Sequence, residues 1–141
     1  MGELRVELFG HASVLFEIAG KRIYADPYSD VCDFAGKAPA DLILITHNHY
    51  DHYDRKAYRE IETPRTAYIV SQNVGRVDSR YTVLENDGIC AWEGISICAV
   101  EAYNVNRRND AGELFHPRGV GNGYVLDFAI RFRPSLNSDV V

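Results

Sequence analysis

The chain has 141 residues, enough for one domain with a real core, and a 46% hydrophobic, 25% charged composition excludes disorder and fibrous repeats. A net charge of −5 argues against a broad phosphate-binding surface, so a small molecule rather than a nucleic acid is the expected partner. No apolar run approaches the ~18 residues of a membrane helix, and the first residues, Met1 to Val6, lack a signal-peptide core, so no membrane association and a cytoplasmic location are expected.

The amino-terminal third reads as strands. Leu4, Val6 and Leu8 alternate with charged residues, and Val14 to Ile18 forms a second run after Gly10. Ala19-Gly20-Lys21 is a tight turn into a third strand, Arg22 to Ala25, so the last two strands form an antiparallel hairpin ending at Asp26-Pro27. Tyr28 to Pro39 has no period and reads as a loop. Leu42 to Ile45, four consecutive branched apolar residues, has the pattern of a strand covered on both faces. Asp54 to Glu60 forms a short helix that must end before Pro64.

Ala67 to Val70 is another buried strand, and Ser71 to Val74 has the residues to open a second short helix. Tyr81 to Leu84 and Ile89 to Trp92 flank an Asn86-Asp87-Gly88 turn. Ile95 to Tyr103 is a longer strand, Gly119 to Gly123 a glycine-rich bend, and Tyr124 to Phe128 the final strand. Many strands with few short helices predict a layered α/β (α+β) domain. Cys32, Cys90 and Cys98 form no CxxC pair and are expected as free thiols.

The chemistry concentrates directly after the most apolar strand, in Thr46-His47-Asn48-His49-Tyr50-Asp51-His52, which holds three of the chain's five histidines. A turn leaving a strand places His47 and His49 on one side, within reach of one cation, and lets Asp51 and His52 diverge toward a second. Imidazole and carboxylate donors suit Zn²⁺, Mn²⁺ or Fe and leave positions open for water. Two such ions ~3.5–4 Å apart share a hydroxide and polarise the bond it attacks. Tyr50 and Tyr53 are close enough in sequence to line a pocket there.

This HxHxDH segment resembles the signature of the metallo-β-lactamase superfamily. Gly10-His11-Ala12-Ser13-Val14-Leu15-Phe16-Glu17 and Asp26-Pro27 resemble its ascorbate-6-phosphate lactonase-like branch of metal-dependent hydrolases, and similarity runs from about Leu4 to Phe128. The resemblance implies an αββα sandwich with a mostly antiparallel, mixed sheet, one or two divalent ions, and hydrolysis by metal-activated water. It assigns one ion to His47 and His49 and the other to Asp51 and His52, with Asp51 also orienting the attacking water as the catalytic carboxylate. His11 and Asp26 are expected behind these ligands, orienting them or meeting substrate at the metal's edge.

Two departures from the family pattern follow. Asn104 stands where a third histidine for the first metal is expected; its carbonyl oxygen suits a harder ion, and Asn104 and His116, the latter in Phe115-His116-Pro117, are both candidates to contact metal or substrate. After Phe128, the stretch Ala129 to Val141 lacks the bridging aspartate, helical layer and final histidine of the family. Residues 1–128 are therefore expected to form the amino-terminal half of the sandwich, and 129–141 an atypical tail, as a truncation or shifted reading frame would leave. A half-sandwich exposes a sheet face, which predicts self-association.

Arg107, Arg108 and Arg118 are available to an anionic substrate group. Three functions follow: a metal-dependent hydrolase of a lactone, phosphoester or similar small substrate; a truncated, catalytically inactive, metal-binding half-domain that self-associates; and, least favoured by the charge balance, an RNA-processing nuclease.

Overall fold

The computed structural model describes residues 3–102, 108–113, 119 and 121–128. Asn104, Arg107, His116, Arg118 and the 129–141 tail, named above as candidates, lie outside the described residues. The strands are β1 (Arg5–Gly10), β2 (Ser13–Ile18), β3 (Lys21–Ala25), β4 (Leu42–Ile45), β5 (Ala67–Ser71), β6 (Tyr81–Leu84), β7 (Ile89–Trp92), β8 (Ile95–Ala102) and β9 (Gly121–Asp127), with helix α1 (Arg55–Ile61) between β4 and β5.

Strands β1 to β6 form one sheet in sequence order. The β1–β2 and β2–β3 pairs are antiparallel, whereas β3–β4, β4–β5 and β5–β6 are parallel. Strands β7, β8 and β9 form a second, wholly antiparallel sheet. The β2–β3 hairpin closes on Ala19-Gly20, both with positive φ (50° and 76°), the twist-matched turn that glycine makes accessible.

Side-chain alternation divides the six-stranded sheet cleanly. Leu15, Tyr24, Ile43, Ile45, Tyr68 and Val70 point to one face, where Phe34 and the Ala57, Tyr58 and Ile61 stripe of α1 cover them. Phe16, Ile18, Ile23, Leu42, Leu44 and Ile69 point to the other, against Ile95, Ile97, Ala99, Leu126 and Phe128 of the second sheet and its exit. All four residues of β4 are buried, as its unbroken apolar run requires. At ~1.5–3 kcal/mol for each large aliphatic side chain removed from water, these two interlayers hold β4 firmly between its neighbours. The layers, helix on sheet on sheet, are those of part of an αββα sandwich.

Several expectations change. Asp54 lies outside the helix as its N-cap, its carboxylate accepting from the Lys56 and Ala57 amides. Ser71 to Val74 opens no helix: Ser71 is committed to the sheet opposite Leu84, and residues 72–74 only turn the chain. The Asn86-Asp87-Gly88 turn joins no hairpin but passes the chain from one sheet to the other. Gly121 to Gly123, expected in a bend, belong to β9 and pair with Val100 to Ala102.

The face of the large sheet that a half-sandwich was expected to expose is covered by the second sheet. Among the described residues, what stays open is the outer face of β7–β8–β9, where the cross-strand row Ile89, Cys98 and Val125 leaves Ile89 68% exposed. Cys32, Cys90 and Cys98 are free and partly buried. Among the described residues no helix is long and apolar enough to cross a membrane.

Candidate metal centre

The site lies where β4 ends. Parallel pairing puts the carboxyl ends of β3, β4 and β5 at one edge of the sheet, and β4 runs straight into the His47–His52 turn. That turn is tightened by the His52 and Tyr53 amides, which both donate to the His49 carbonyl, at 2.9 and 2.7 Å. The β1–β2 turn arrives beside it and delivers His11.

Beneath the turn is a buried hub, Asp26, only 2% exposed. Its carboxylate accepts three hydrogen bonds: from the Thr46 amide on Oδ1 at 2.9 Å, and from the Thr46 hydroxyl and His52 Nδ1 on Oδ2 at 2.6 and 2.7 Å. Its own amide donates to the Leu44 carbonyl, and its carbonyl accepts from the Ser13 hydroxyl. Both Asp26 (φ 43°) and His11 (φ 52°) hold left-handed backbone conformations that side-chain-bearing residues seldom adopt, as surroundings that over-determine a site allow.

These bonds set the imidazole tautomers. Thr46 has one hydroxyl proton and gives it to Asp26, so toward His47 Nδ1, 2.8 Å away, its oxygen accepts. His52 Nδ1 donates to Asp26 directly. In their neutral forms both rings therefore carry the proton on Nδ1 and offer Nε2 as the lone-pair atom. One carboxylate thus prepares two histidines for a cation, His52 by contact and His47 through Thr46.

Three donors converge at the surface of this hub. One ligating atom each from His11, Asp51 and His52 lies within 4.8 Å of the others. His11 Nε2 is 2.8 Å from Asp51 Oδ2, and His52 Nε2 is 3.7 Å from Asp51 Oδ1. Three donors bound to one tetrahedral cation at ~2.1 Å stand about 3.4 Å apart; with one atom from each residue already within 4.8 Å of the others, the donor set can close on a divalent ion. His47 and His49 stand beside this cluster, not within it: the His47 ring centroid is 4.0 Å from that of His52 and 4.6 Å from that of His49.

Burial alone would push the Asp51 carboxyl up, but the His52 charge and the His11 hydrogen bond outweigh it and hold the group below its ordinary range. Burial likewise pulls His52 down, and the Asp26 hydrogen bond and charge, followed by Asp51, reverse it and leave the imidazole above its ordinary value. Asp51 is thus an anion at neutral pH, ready to ligate.

Tyr50 is 78% exposed at the rim and packs edge-on against Tyr28, which in turn meets His11. Tyr53, expected at the pocket, instead stacks on Tyr58 against the core beneath α1. Thr46 escaped notice in the sequence, where its only signal was its place between a buried strand and a histidine. Arg108 is turned to its own loop, donating to the Gly112 carbonyl.

A two-sheet sandwich carrying a His/Asp/His cluster at the exit of its central strand is a metal-binding hydrolase fold. Residues 5–132 match the family described as the beta-lactamase superfamily domain, and the chain belongs to the metallo-β-lactamase superfamily. It is 37% identical over 79 residues to a UPF0173 protein of Pyrococcus furiosus, covering 51% of this chain and 37% of that protein. It is 28% identical over 135 residues to a UPF0173 metal-dependent hydrolase of Methanopyrus kandleri, covering 87% of this chain and 56% of that one.

Among solved structures it is similar to a candidate metal-dependent hydrolase of Parabacteroides distasonis, with a TM-score of 0.79, 34% identity, and coverage of 90% of this chain and 57% of that one. A metallo hydrolase of Ignicoccus hospitalis shares the fold, with a TM-score of 0.61 at 19% identity over 87% of this chain and 55% of its own. The chain thus spans little more than half the length of the longer-matching relatives.

Proposed function

We propose that the chain is a hydrolase module that holds a divalent cation, Zn²⁺ above Mn²⁺ or Fe, through His11, Asp51 and His52, with His47 and His49 serving an adjacent position. The convergence of the three donor atoms within 4.8 Å carries this reading. A cation held there would act as a Lewis acid on the substrate and acidify water. Around it, the chain's own groups have distinct tasks. Before a cation binds, His11 Nε2–H donates to Asp51; ligation by His11 would replace that bond, leaving Asp51, anionic, to orient a water molecule for attack through the carboxylate oxygen not committed to the cation. Asp26 keeps His52, and through Thr46 also His47, in the tautomer that can ligate. His11 comes forward here from the orienting role expected of it.

The substrate class we assign is a small lactone, phosphoester or similar electrophile, in keeping with the resemblance to the ascorbate-6-phosphate lactonase-like branch. The Parabacteroides protein, 34% identical, is a candidate metal-dependent hydrolase, which supports the same reaction type for this chain. The test is metal content of the purified chain by elemental analysis, followed by turnover of a panel of lactones and phosphomonoesters and phosphodiesters. Wild-type turnover that is lost together with the metal in Asp51→Ala supports the reading; turnover that survives in Asp51→Ala refutes it.

A second reading is favoured by the open outer face of β7–β8–β9: a module that binds metal without turnover and associates through that face with another copy. Bound metal, no hydrolysis on the panel and a dimer by sedimentation would distinguish it.

A further inference from the structure

The strand β9 belongs to the second sheet, yet its first residues touch the end of β4. The Asn122 amide donates to the Thr46 carbonyl at 2.8 Å, and the Tyr124 hydroxyl donates to the Ile45 carbonyl at 2.8 Å. Those are the last two carbonyls before His47, where the ladder with β5, last paired at Ile45 and Val70, has ended. Asn122 is itself locked: its side-chain amide donates to the Leu84 carbonyl at 2.8 Å, and its Oδ1 accepts from Asn86 at 2.8 Å.

Gly121 approaches more closely still. A β-carbon at Gly121 would lie 3.2 Å from His47 Cβ and 3.4 Å from the Thr46 carbonyl oxygen. Ordinary carbon–carbon contact is ~3.5–4.0 Å, so even a methyl group would displace His47 or the strand. Gly121 is not among the residues of positive φ, so it is the proximity of His47, not backbone freedom, that requires glycine there.

We infer that the start of β9 is a positioning element for His47, in which the Asn122 amide and Tyr124 hydroxyl grip the end of β4 while Gly121, lacking a side chain, lets His47 settle at the metal position adjacent to the His11, Asp51 and His52 cluster. The inference rests on His47 serving as a metal ligand. It explains why a strand of the far sheet opens on Gly-Asn-Gly, a poor strand former by propensity.

The same strand supplies its own control. A β-carbon at Gly123 would lie 3.1 Å from Val100 Cγ2, a close contact with one side-chain methyl, directed at the outer face of the sheet. Gly121→Ala and Gly123→Ala therefore both add a methyl group to β9 at close contact, the second against a single Val100 side-chain methyl and only the first against His47 and the Thr46 carbonyl. Three readouts apply to both: thermal stability of the metal-free chain, Zn²⁺ affinity by competition with a chromophoric chelator, and the ring resonances of His47 in the metal-free chain by NMR.

Gly121→Ala should bind Zn²⁺ about 10- to 100-fold more weakly, the usual consequence of disturbing the groups that orient a ligand, and should move the His47 ring resonances. Gly123→Ala should lose stability while keeping wild-type affinity and His47 resonances. Tyr124→Phe, which releases the Ile45 carbonyl without adding bulk, should also weaken Zn²⁺ binding and move those resonances, and serves if Gly121→Ala fails to fold.

Wild-type affinity and unmoved His47 resonances in Gly121→Ala, or in Tyr124→Phe where it replaces it, overturn the inference. So does an equal loss of affinity in Gly123→Ala, which would mark general strain in β9. Those results leave the metal site standing when the wild-type chain binds Zn²⁺; a wild-type chain that takes up none overturns the ligand reading of His47 and this inference together.

Discussion

Asp26→Asn changes almost nothing in shape and should nonetheless disable the centre. Its amide oxygen can keep the bond from the Thr46 amide, but the atom replacing Oδ2 is now a donor, facing the Thr46 hydroxyl and His52 Nδ1. His52 can meet that donor only by moving its proton to Nε2. Thr46, now receiving a hydrogen at its oxygen, turns its own proton toward His47 Nδ1 and pushes that ring to the Nε2–H tautomer as well.

Both lone pairs then point away from the cation. Disturbing one such supporting partner usually costs 10- to 100-fold in metal affinity, and two rings are affected here, so a loss of about 100-fold, equivalent to ~2.7 kcal/mol, is expected. All three hydrogen bonds to the carboxylate also become bonds to a neutral amide, at ~1 kcal/mol each, so the metal-free chain should lose ~3 kcal/mol and melt ~9–15 °C lower. Chelator competition for Zn²⁺ and a melt of the metal-free protein measure the two effects separately. Zn²⁺ binding of wild-type affinity and stoichiometry in Asp26→Asn would refute the tautomer argument outright.

Asp54→Ala removes the α1 cap together with two bonds from Ser29, its amide at 2.7 Å and its hydroxyl at 2.6 Å, so denaturant unfolding should show a loss of ~2–4 kcal/mol; a loss under ~1 kcal/mol would mean that the 28–39 loop and the helix are not tied there. At the opposite end of the sheet, Arg80 donates to the exposed Asp78 carboxylate and holds it below its usual range. A depressed carboxyl stabilises the fold above its ordinary value of ~3.9 and loses that contribution as pH falls through the depressed one. The stability difference between wild type and Asp78→Asn should thus be flat near neutrality and shrink below pH ~4, which pH-resolved melts will show. If copies associate through the outer face of the small sheet, Ile89→Lys at its most exposed apolar position should yield a monomer in sedimentation where wild type is a dimer, with metal uptake unchanged.

The parts of the fold visible in the sequence are those with local causes. Four branched apolar residues in a row are typical of a strand buried on both faces, and β4 is that strand; Ala19-Gly20 flanked by alternating residues has the pattern of a hairpin turn, and the β2–β3 hairpin closes there. What could not be read is pairing at a distance. Nothing local tells Tyr81 to Leu84 that it closes one sheet and Ile89 to Trp92 that it opens another, since the intervening Asn86-Asp87-Gly88 would suit a hairpin equally well. Gly121 and Gly123 misled for the same reason: glycine's low strand propensity argues for a bend, while its tertiary use, as a place where backbones approach closely, is silent in one dimension.

The site divides along the same line. His47, His49, Asp51 and His52 advertise themselves because a six-residue segment holds all four, and Asp26 is marked by its place at a strand end before proline. His11 enters the donor cluster only because a turn between β1 and β2 lands against a loop some forty residues later, and it does so in a strained conformation that sequence does not display. Thr46 and the opening of β9 are quieter still, for neither has chemistry of its own. They act by holding carbonyls and protons in place for residues that do. A metal centre of this kind is therefore announced by its ligands but built by what lies behind them. Its tolerance to mutation should follow the hydrogen bonds of Asp26 and the closeness of Gly121 rather than distance from the cation, so that a smaller change at either should cost more metal affinity than an alanine at the exposed Tyr50 beside the cluster.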